Sequence, residues 1–235
     1  MRSVCVIPAR AGSKRVPRKN IRPFLGLPML HRAIRCAQRS GAFTEIVVST
    51  EDPEVAEVAR AGGAAVPFVR PVELSDDFTG TTPIIAHAVR ALGLAEVADA
   101  LVCCLYATTP LLDPADLARG RAALEADRGL DYAFSGTSFP FPIQRAVRRL
   151  PTGGVEPMFP AHITSRSQDL EEAWHDAGQF YWGRPAAWLG LRPIFGPQSA
   201  LVALPRHRVQ DIDTPEDWDR AEALFIALER AAGDR

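Results

Sequence analysis

Residues 3–20 read "SVCVIPARAGSKRVPRKN". A short apolar run, Val4 to Ile7, stops at Pro8. Five cations follow within ten positions, Arg10, Lys14, Arg15, Arg18 and Lys19, with Gly12, Ser13 and Pro17 among them and no acid. An apolar run bounded by a breaker is the pattern of a strand buried on both faces. A basic, glycine-containing turn at the end of such a strand lies where open α/β sheets bind their ligands. This pairing of strand and turn sets the expected fold, and the rest of the chain extends it.

Beyond Asn20, β-like and helix-like segments alternate. Residues 28–41 show helical periodicity: Met29, Leu30, Ala33, Ile34 and Ala37 share a face, Pro28 suits the first turn and Gly41 can end it. A strand is expected at 45–50, a helix at 52–63, and a short extended piece at 65–69. A helix at 81–93, a strand at 100–106, a helix at 113–129 and a strand at 131–137 complete the series. Such alternation predicts an α/β fold with a mostly parallel sheet covered on both faces. Residues 138–176 break the rhythm. They are rich in proline, contain Gly153-Gly154, and carry Arg145, Arg148, Arg149 and Arg166. Extended arms and loops are expected there, as an insertion in a single domain spanning 1–235. The βα pattern resumes with "GQFYWG", "PAAWLGL", "ALVALP" and a long last helix, "PEDWDRAEALFIALERAA".

Composition narrows the function classes. The chain has 235 residues, 47% hydrophobic and 23% charged, with net charge −1. That is ordinary globular composition. Apolar runs are too short to span a bilayer, and too few apolar residues follow Arg2 for a signal-peptide core. A soluble cytoplasmic protein with no membrane contact is expected. Cys5, Cys36, Cys103 and Cys104 lack C-x-x-C spacing and read as buried reduced thiols. The near-neutral total argues against nucleic acid. Its distribution is uneven, however: residues 1–44 hold ten Arg or Lys and no acid, whereas acids gather in 211–222.

The basic turn fits neither a Walker A loop, because Gly12 stands alone and Ser13 precedes Lys14, nor a three-glycine dinucleotide fingerprint. It would have to hold an anion chiefly through side chains. Arg10 offers a planar fork, Lys14 and Lys19 offer point charges, and Ser13 with the amides beside Gly12 adds hydrogen bonds. The alternative is a solvated basic turn. In "VQDIDTPEDW", residues 209–218, an extended backbone points Asp211 and Asp213 the same way. Two carboxylates opposite a polyphosphate suit Mg2+. Asp213 could equally belong to the N-cap of the last helix, where Thr214, Pro215, Glu216 and Asp217 form a helix start.

"IPARAGSKRVPRKN" resembles the N-terminal signature of the CMP-sugar synthetases, cytidylyltransferases that activate sialic acids and their relatives. Ala11 departs from the glycine common there. "RPVELSDDFTGT" resembles the family's R-P-x-x-L loop. "LYATTPLL" is similar to a segment that usually reads L-Q-P-T-S-P-L, so that Tyr106 replaces a glutamine and Ala107 a proline. "SFPFPIQRA", "TRSQDLEEAWHDAGQFYWG" and "RVQDIDTPEDW" look more like the pseudaminic acid branch than the sialic acid branch, and the similarity runs essentially end to end.

The resemblance implies a three-layer, Rossmann-like nucleotide-diphospho-sugar transferase fold. It implies CTP as substrate, Mg2+ or Mn2+ on Asp211 and Asp213, and transfer of CMP to a nine-carbon 2-keto sugar acid. Lys19, Arg10 and Lys14 become the catalytic cations, with Lys19 nearest the α-phosphate. Ala9, Gly12, Ser13, Asn20, Arg70 and Asp77 join Arg10 and Lys14 around the nucleotide. Tyr106, Arg166, Gln179 and Tyr181 become sugar contacts, although Arg166 could instead pair with Asp169 or Glu171. The 138–176 excursion implies a homodimer. Two rival readings remain: a sialic or legionaminic acid synthetase, and a non-catalytic nucleic-acid binder using the basic turn.

Overall fold

The computed structural model describes residues 1–76 and 78–233. Its centre is a six-stranded sheet formed by β1 (Ser3–Pro8), β4 (Glu45–Ser49), β5 (Leu101–Leu105), β6 (Tyr132–Ser138), β9 (Trp174–Gly183) and β10 (Ser199–Ala203). The order is β10-β6-β9-β5-β1-β4. Two short antiparallel ribbons stand apart from it: β2 (Pro23–Phe24) with β3 (Leu27–Pro28), and β7 (Val147–Arg149) with β8 (Val155–Pro157).

β1 is the expected strand. It pairs in parallel with β4 on one side and β5 on the other. Its side chains alternate between two hydrophobic layers. Cys5 and Ile7 pack with Leu30, Ala33 and Ile34 of α1 (Met29–Ser40) and with Leu117 and Leu124 of α4 (Pro114–Ala126). Val4 and Val6 pack with Ile85, Ala88 and Val89 of α3 (Thr81–Ala91) and with Trp188 of α5 (Pro185–Leu189). Burial on both faces explains why the strand is continuously apolar. The helices are punctuated as the sequence suggests. Gly41 closes α1 in the left-handed conformation at φ 62°, and Asp52 caps α2 (Pro53–Ala61) by accepting from the Val55 amide. All four cysteines are buried and unpaired.

The sequence rhythm misleads at β9. The strand begins at Trp174 rather than Gly178, and it runs antiparallel to both neighbours, β5 and β6. The cause lies in the connection. Ser138 ends β6, and the Phe139 amide donates to Ala173 O at the neck of the excursion. The chain therefore leaves and re-enters at the same end of the sheet, and the returning strand must run backwards. Residues 139–173 hold the β7–β8 ribbon and short 3-10 turns, in keeping with the expected arms and loops.

β9 also bulges. Phe134 pairs with Tyr181 but Gly136 pairs with Asp176, so two steps along β6 oppose five along β9. Gly178 takes φ 61° within the bulge, and the Ser135 hydroxyl accepts from the Gln179 and Phe180 amides.

A third, smaller cluster ties the basic turn to the end of the chain. Val16 is buried with Phe24, Met29, Ile212, Trp218 and Ala221, the last two on α6 (Pro215–Gly233). Burying an aliphatic side chain of this size stabilises by roughly 1.5–3 kcal/mol. This joint brings the basic turn and the acidic segment together across almost the whole sequence.

Candidate functional site

A cleft of about 330 Å³ opens at the C-terminal end of β1. Its walls come from four places in the chain: the basic turn, the segment between Arg70 and Ile84, the Tyr106–Thr108 loop after β5, and Asp213. A larger groove of about 680 Å³ runs along α1 and α6, but none of the residues selected from the sequence lines it.

The basic turn is held from within. The Ala9 amide donates to Ser49 O, and the Asn20 side-chain amide donates to Arg10 O at 2.8 Å. The Ser13 hydroxyl accepts from the Lys19 amide at 2.8 Å. Arg18 sits at φ 56°, a left-handed conformation costly for a residue with a β-carbon. That turn sends Arg18 outward to an ion pair with Glu54 and Lys19 inward to the acidic segment. Lys19 Nζ donates to Ile212 O at 2.5 Å and lies 3.4 Å from Asp213 Oδ1. Arg15 reaches Asp213 Oδ2 at 2.8 Å. Arg10 donates to Asp76 O at 2.8 Å across the cleft, and Lys14 lines it. The charges segregated along the sequence are thus recombined in the fold.

The cap of α6 is made without the Asp213 carboxylate. The Thr214 hydroxyl accepts from the Asp217 amide, and Asp217 Oδ2 accepts from the Asp213 and Thr214 amides. The Thr214 hydroxyl also donates to Asp217 Oδ2 at 2.8 Å, and this bond first, then those from the two amides, holds the Asp217 carboxyl below the ordinary range. Asp213 therefore faces the cations. Desolvation of its carboxyl, then the like charge of Asp213, raises Asp211. Asp211 and Asp213, two positions apart and mutually repelling, offer carboxylate oxygens of the kind that suit a hard divalent cation. Asp213 lines the cleft, whereas Asp211 does not. Among the described residues no group of three acidic, His or Cys side chains stands together.

Arg70 is buried beneath the cleft floor, at 2% exposure. Its Nη2 lies 2.6 Å from Glu51 Oε2, and its Nε donates to the Ser75 hydroxyl at 2.9 Å. Glu51 Oε1 accepts from the Ala11 amide at 3.0 Å. One carboxylate therefore fixes both the turn and the arginine. Burial works to raise the Glu51 carboxyl, but the amide and guanidinium bonds outweigh it and hold the group low.

Tyr106 lines the cleft beside Thr81, with their hydroxyl oxygens 2.5 Å apart. Tyr181 lies behind Tyr106, edge to face with ring centroids 5.5 Å apart. Gln179 is buried, and its side-chain amide donates to Arg208 O. Neither Gln179 nor Tyr181 reaches the cleft wall. Gly12 is exposed and does not line the cleft, and Asp77 lies outside the described residues. Arg166 stays on the excursion, exposed and bidentate to Asp169 at 2.7 and 3.1 Å, which is the local pairing open to it in the sequence. Arg15, Glu51, Asp76 and Thr81 enter the neighbourhood of the site without having been assigned to it from the sequence. For Arg15 its place beside Lys14 was a signal; for Glu51 there was none.

Comparison with known proteins bears on the family and the fold. The family model described as "Cytidylyltransferase" matches residues 4–138. The chain is 44% identical over 225 residues to the pseudaminic acid cytidylyltransferase of Campylobacter jejuni subsp. jejuni, covering 96% of this chain and 97% of that one. It is 33% identical over 212 residues to a Helicobacter pylori protein named "Pseudaminic acid cytidylyltransferase and UDP-2,4-diacetamido-2,4,6-trideoxy-beta-L-altropyranose hydrolase". That match covers 90% of this chain and 40% of the longer protein. In fold it resembles a CMP:2-keto-3-deoxy-manno-octonic acid synthetase solved with CTP. The TM-score is 0.70 at 19% identity, over 97% of this chain and all of that one.

Proposed function

We propose, from the premise that this chain belongs to the cytidylyltransferase family, that it transfers CMP from CTP to the anomeric hydroxyl of pseudaminic acid. The observation that carries the reading is the near-complete alignment with the Campylobacter jejuni protein at 44% identity. The cleft supports it, with cations on one wall and hydroxyl groups on another. The sugar hydroxyl gives up its proton, which passes through solvent to the released pyrophosphate, as an O–P bond forms at the α-phosphorus and the bond to the departing pyrophosphate breaks. The sum is CTP plus sugar acid to CMP-sugar plus pyrophosphate.

Such a transfer needs in-line positioning and charge neutralisation more than covalent help from the protein. Lys19, Arg10 and Lys14 are placed to meet the phosphates, with Ser13 and Asn20 holding the turn that carries them. Arg70 supports the floor, and Tyr106 faces the sugar. Asp211 and Asp213 would hold Mg2+, which when bound neutralises phosphoryl charge; Arg15 must then give up Asp213. The protein works in the cytoplasm, as a homodimer formed through the 138–176 excursion, with Arg166 delivered to the partner's sugar end.

Pyrophosphate release with CTP and Mg2+ across pseudaminic, N-acetylneuraminic, legionaminic and 3-deoxy-octulosonic acids tests the reading. Turnover with pseudaminic acid at the highest kcat/KM is expected. Preference for another acid would reassign the substrate. In the same assay Lys19→Ala should lose about a hundredfold, or roughly 3 kcal/mol of transition-state stabilisation.

A further inference from the structure

Asp211 and Asp213 sit on a stretch that the sheet does not hold. Among the described residues no backbone–backbone hydrogen bond involves residues 210–213. The stretch hangs between two anchors. At one end Ile212 is buried with Val16 and Trp218, and its carbonyl accepts from Lys19 Nζ. At the other end stands Arg208, the last residue of a short 3-10 turn, Arg206–Arg208. Both its backbone and its side chain are gripped. Arg208 O accepts from the Gln179 side-chain amide of β9 at 2.7 Å, and Arg208 Nη1 donates to Asp116 Oδ2 of α4 at 2.5 Å. Arg208 Nη2 lies 3.4 Å from Asp116 Oδ1. A strand and a helix thus converge on the residue three positions before Asp211.

Asp116 does not need Arg208 to be stable. It is 3% exposed, where an unpaired charge is costly. Arg119, one turn further along α4, already reaches its Oδ1 at 2.5 Å. Asp116 also lies in the first turn of α4, where the helix dipole favours an acid. Arg119 is fastened in turn by donating to Ala203 O at the end of β10. What Arg208 adds is a tie from this fixed carboxylate to the acidic stretch. Gln179 points the same way. Its side chain is buried and its Oε1 has no partner, so the bond to Arg208 O is the one hydrogen bond its amide makes among the described residues. A buried amide left half satisfied is destabilising beside an apolar residue of its size.

We infer that Arg208, gripped by Asp116 and Gln179, is a positioning residue for the metal pair, holding residues 209–213 so that Asp211 and Asp213 can serve one divalent cation. The inference rests on the reading of those two aspartates proposed above. Its physical basis is repulsion. Two carboxylates two positions apart push each other away when no cation lies between them. A stretch without backbone bonds yields to that push unless its ends are clamped. Gln179 then acts on the acidic segment from behind the cleft, not on the sugar.

The test uses the full chain as wild type, Arg208→Gln, Arg208→Lys and Gln179→Met, with circular dichroism to check folding. Arg208→Gln removes the tie while Arg119 still neutralises Asp116. Gln179→Met removes the second grip together with the unmet Oε1 and leaves the ion pair intact. Binding of CTP is measured by calorimetry without any sugar acid, once in EDTA and once in saturating Mn2+. The ratio of the two dissociation constants reads the metal's contribution without turnover. Arg208→Gln should cut that ratio about tenfold, the loss typical for partners that orient metal ligands, and leave the constant in EDTA unchanged. Gln179→Met should cut it about threefold, and Arg208→Lys should recover part of the loss because it keeps one N–H for Asp116. Equal weakening in EDTA and in Mn2+ would mean a general distortion and would overturn the inference, as would an unchanged ratio. Should Arg208→Gln fail to fold, Gln179→Met decides the matter alone. Failure of the functional reading is separate, since it appears in wild type as no tightening of CTP by the metal and no turnover with any acid.

Discussion

Glu51 shows how much one side chain can settle. Its two oxygens hold the Ala11 amide and the buried Arg70, joining the basic turn to the cleft floor. Truncating one member of a buried ion pair leaves the other uncompensated, at a cost of about 3 kcal/mol. For a chain of this size Glu51→Ala should lower Tm by about 6–12 °C at pH 7, measured by thermal unfolding followed by circular dichroism. The pH dependence has a definite sign. The folded carboxyl lies below its unfolded value, so its contribution is complete above about pH 4.3 and fades as pH falls through the lower folded value. The gap in Tm between wild type and Glu51→Ala should therefore narrow when both are unfolded below about pH 4. A constant gap would mean that the carboxylate charge is irrelevant. Nothing in the sequence around Glu51 announced this role, because an acid in the run Glu51-Asp52-Pro53-Glu54 reads most simply as part of the start of the next helix.

Among the elements, those with local signals were legible and those set by distant packing were not. The strand at Ser3–Pro8, the turn after it, and the capped helices from 29 to 126 follow from apolar runs, prolines, Asp caps and Gly41. Lys19 and Asp213 were each legible as charged candidates, one for phosphate and one for metal, but their 3.4 Å approach to one another was not. Nor was the direction of β9, since an apolar strand reads the same whichever way it runs. Its bulge was hidden too, and with it the reach of Asp176 to the Tyr181 hydroxyl. Gly120 on α4 makes a similar point about close packing. A β-carbon there would stand 2.6 Å from Trp182 Cδ1 and 2.9 Å from Phe180 Cε2 on β9. Helix propensity alone says that Gly120→Ala stabilises by about 1 kcal/mol. The clash with two buried rings should reverse the sign, giving a net loss of about 1–3 kcal/mol in urea unfolding. A gain would show that α4 can lift from the sheet at no cost.

At the scale of the whole molecule, the excursion between Ser138 and Trp174 is the part least able to stand alone. It contributes one two-stranded ribbon and exposes Phe141, Val147, Val155, Met158, Phe159 and Ile163. A lone ribbon is marginal in water, and clustered exposed apolar side chains mark an interaction surface. Sedimentation equilibrium at micromolar concentration should give twice the 25.6 kDa chain mass. Phe141→Asp combined with Ile163→Asp should return it to the monomer value. A wild-type monomer would remove the excursion from self-association.

The reversed strand at the middle of the sheet carries one further consequence, for synthesis. β5 and β6 are never neighbours; each waits for β9 to fill the space between them. While the ribosome is still adding the excursion, the nascent polypeptide carries β4-β1-β5 with an unsatisfied edge made of fully buried apolar residues, Leu101 to Leu105. Such an edge invites pairing with other chains. Yield in the cell is therefore governed by how quickly residues 174–183 emerge and dock, a vulnerability confined to the interval before translation reaches them.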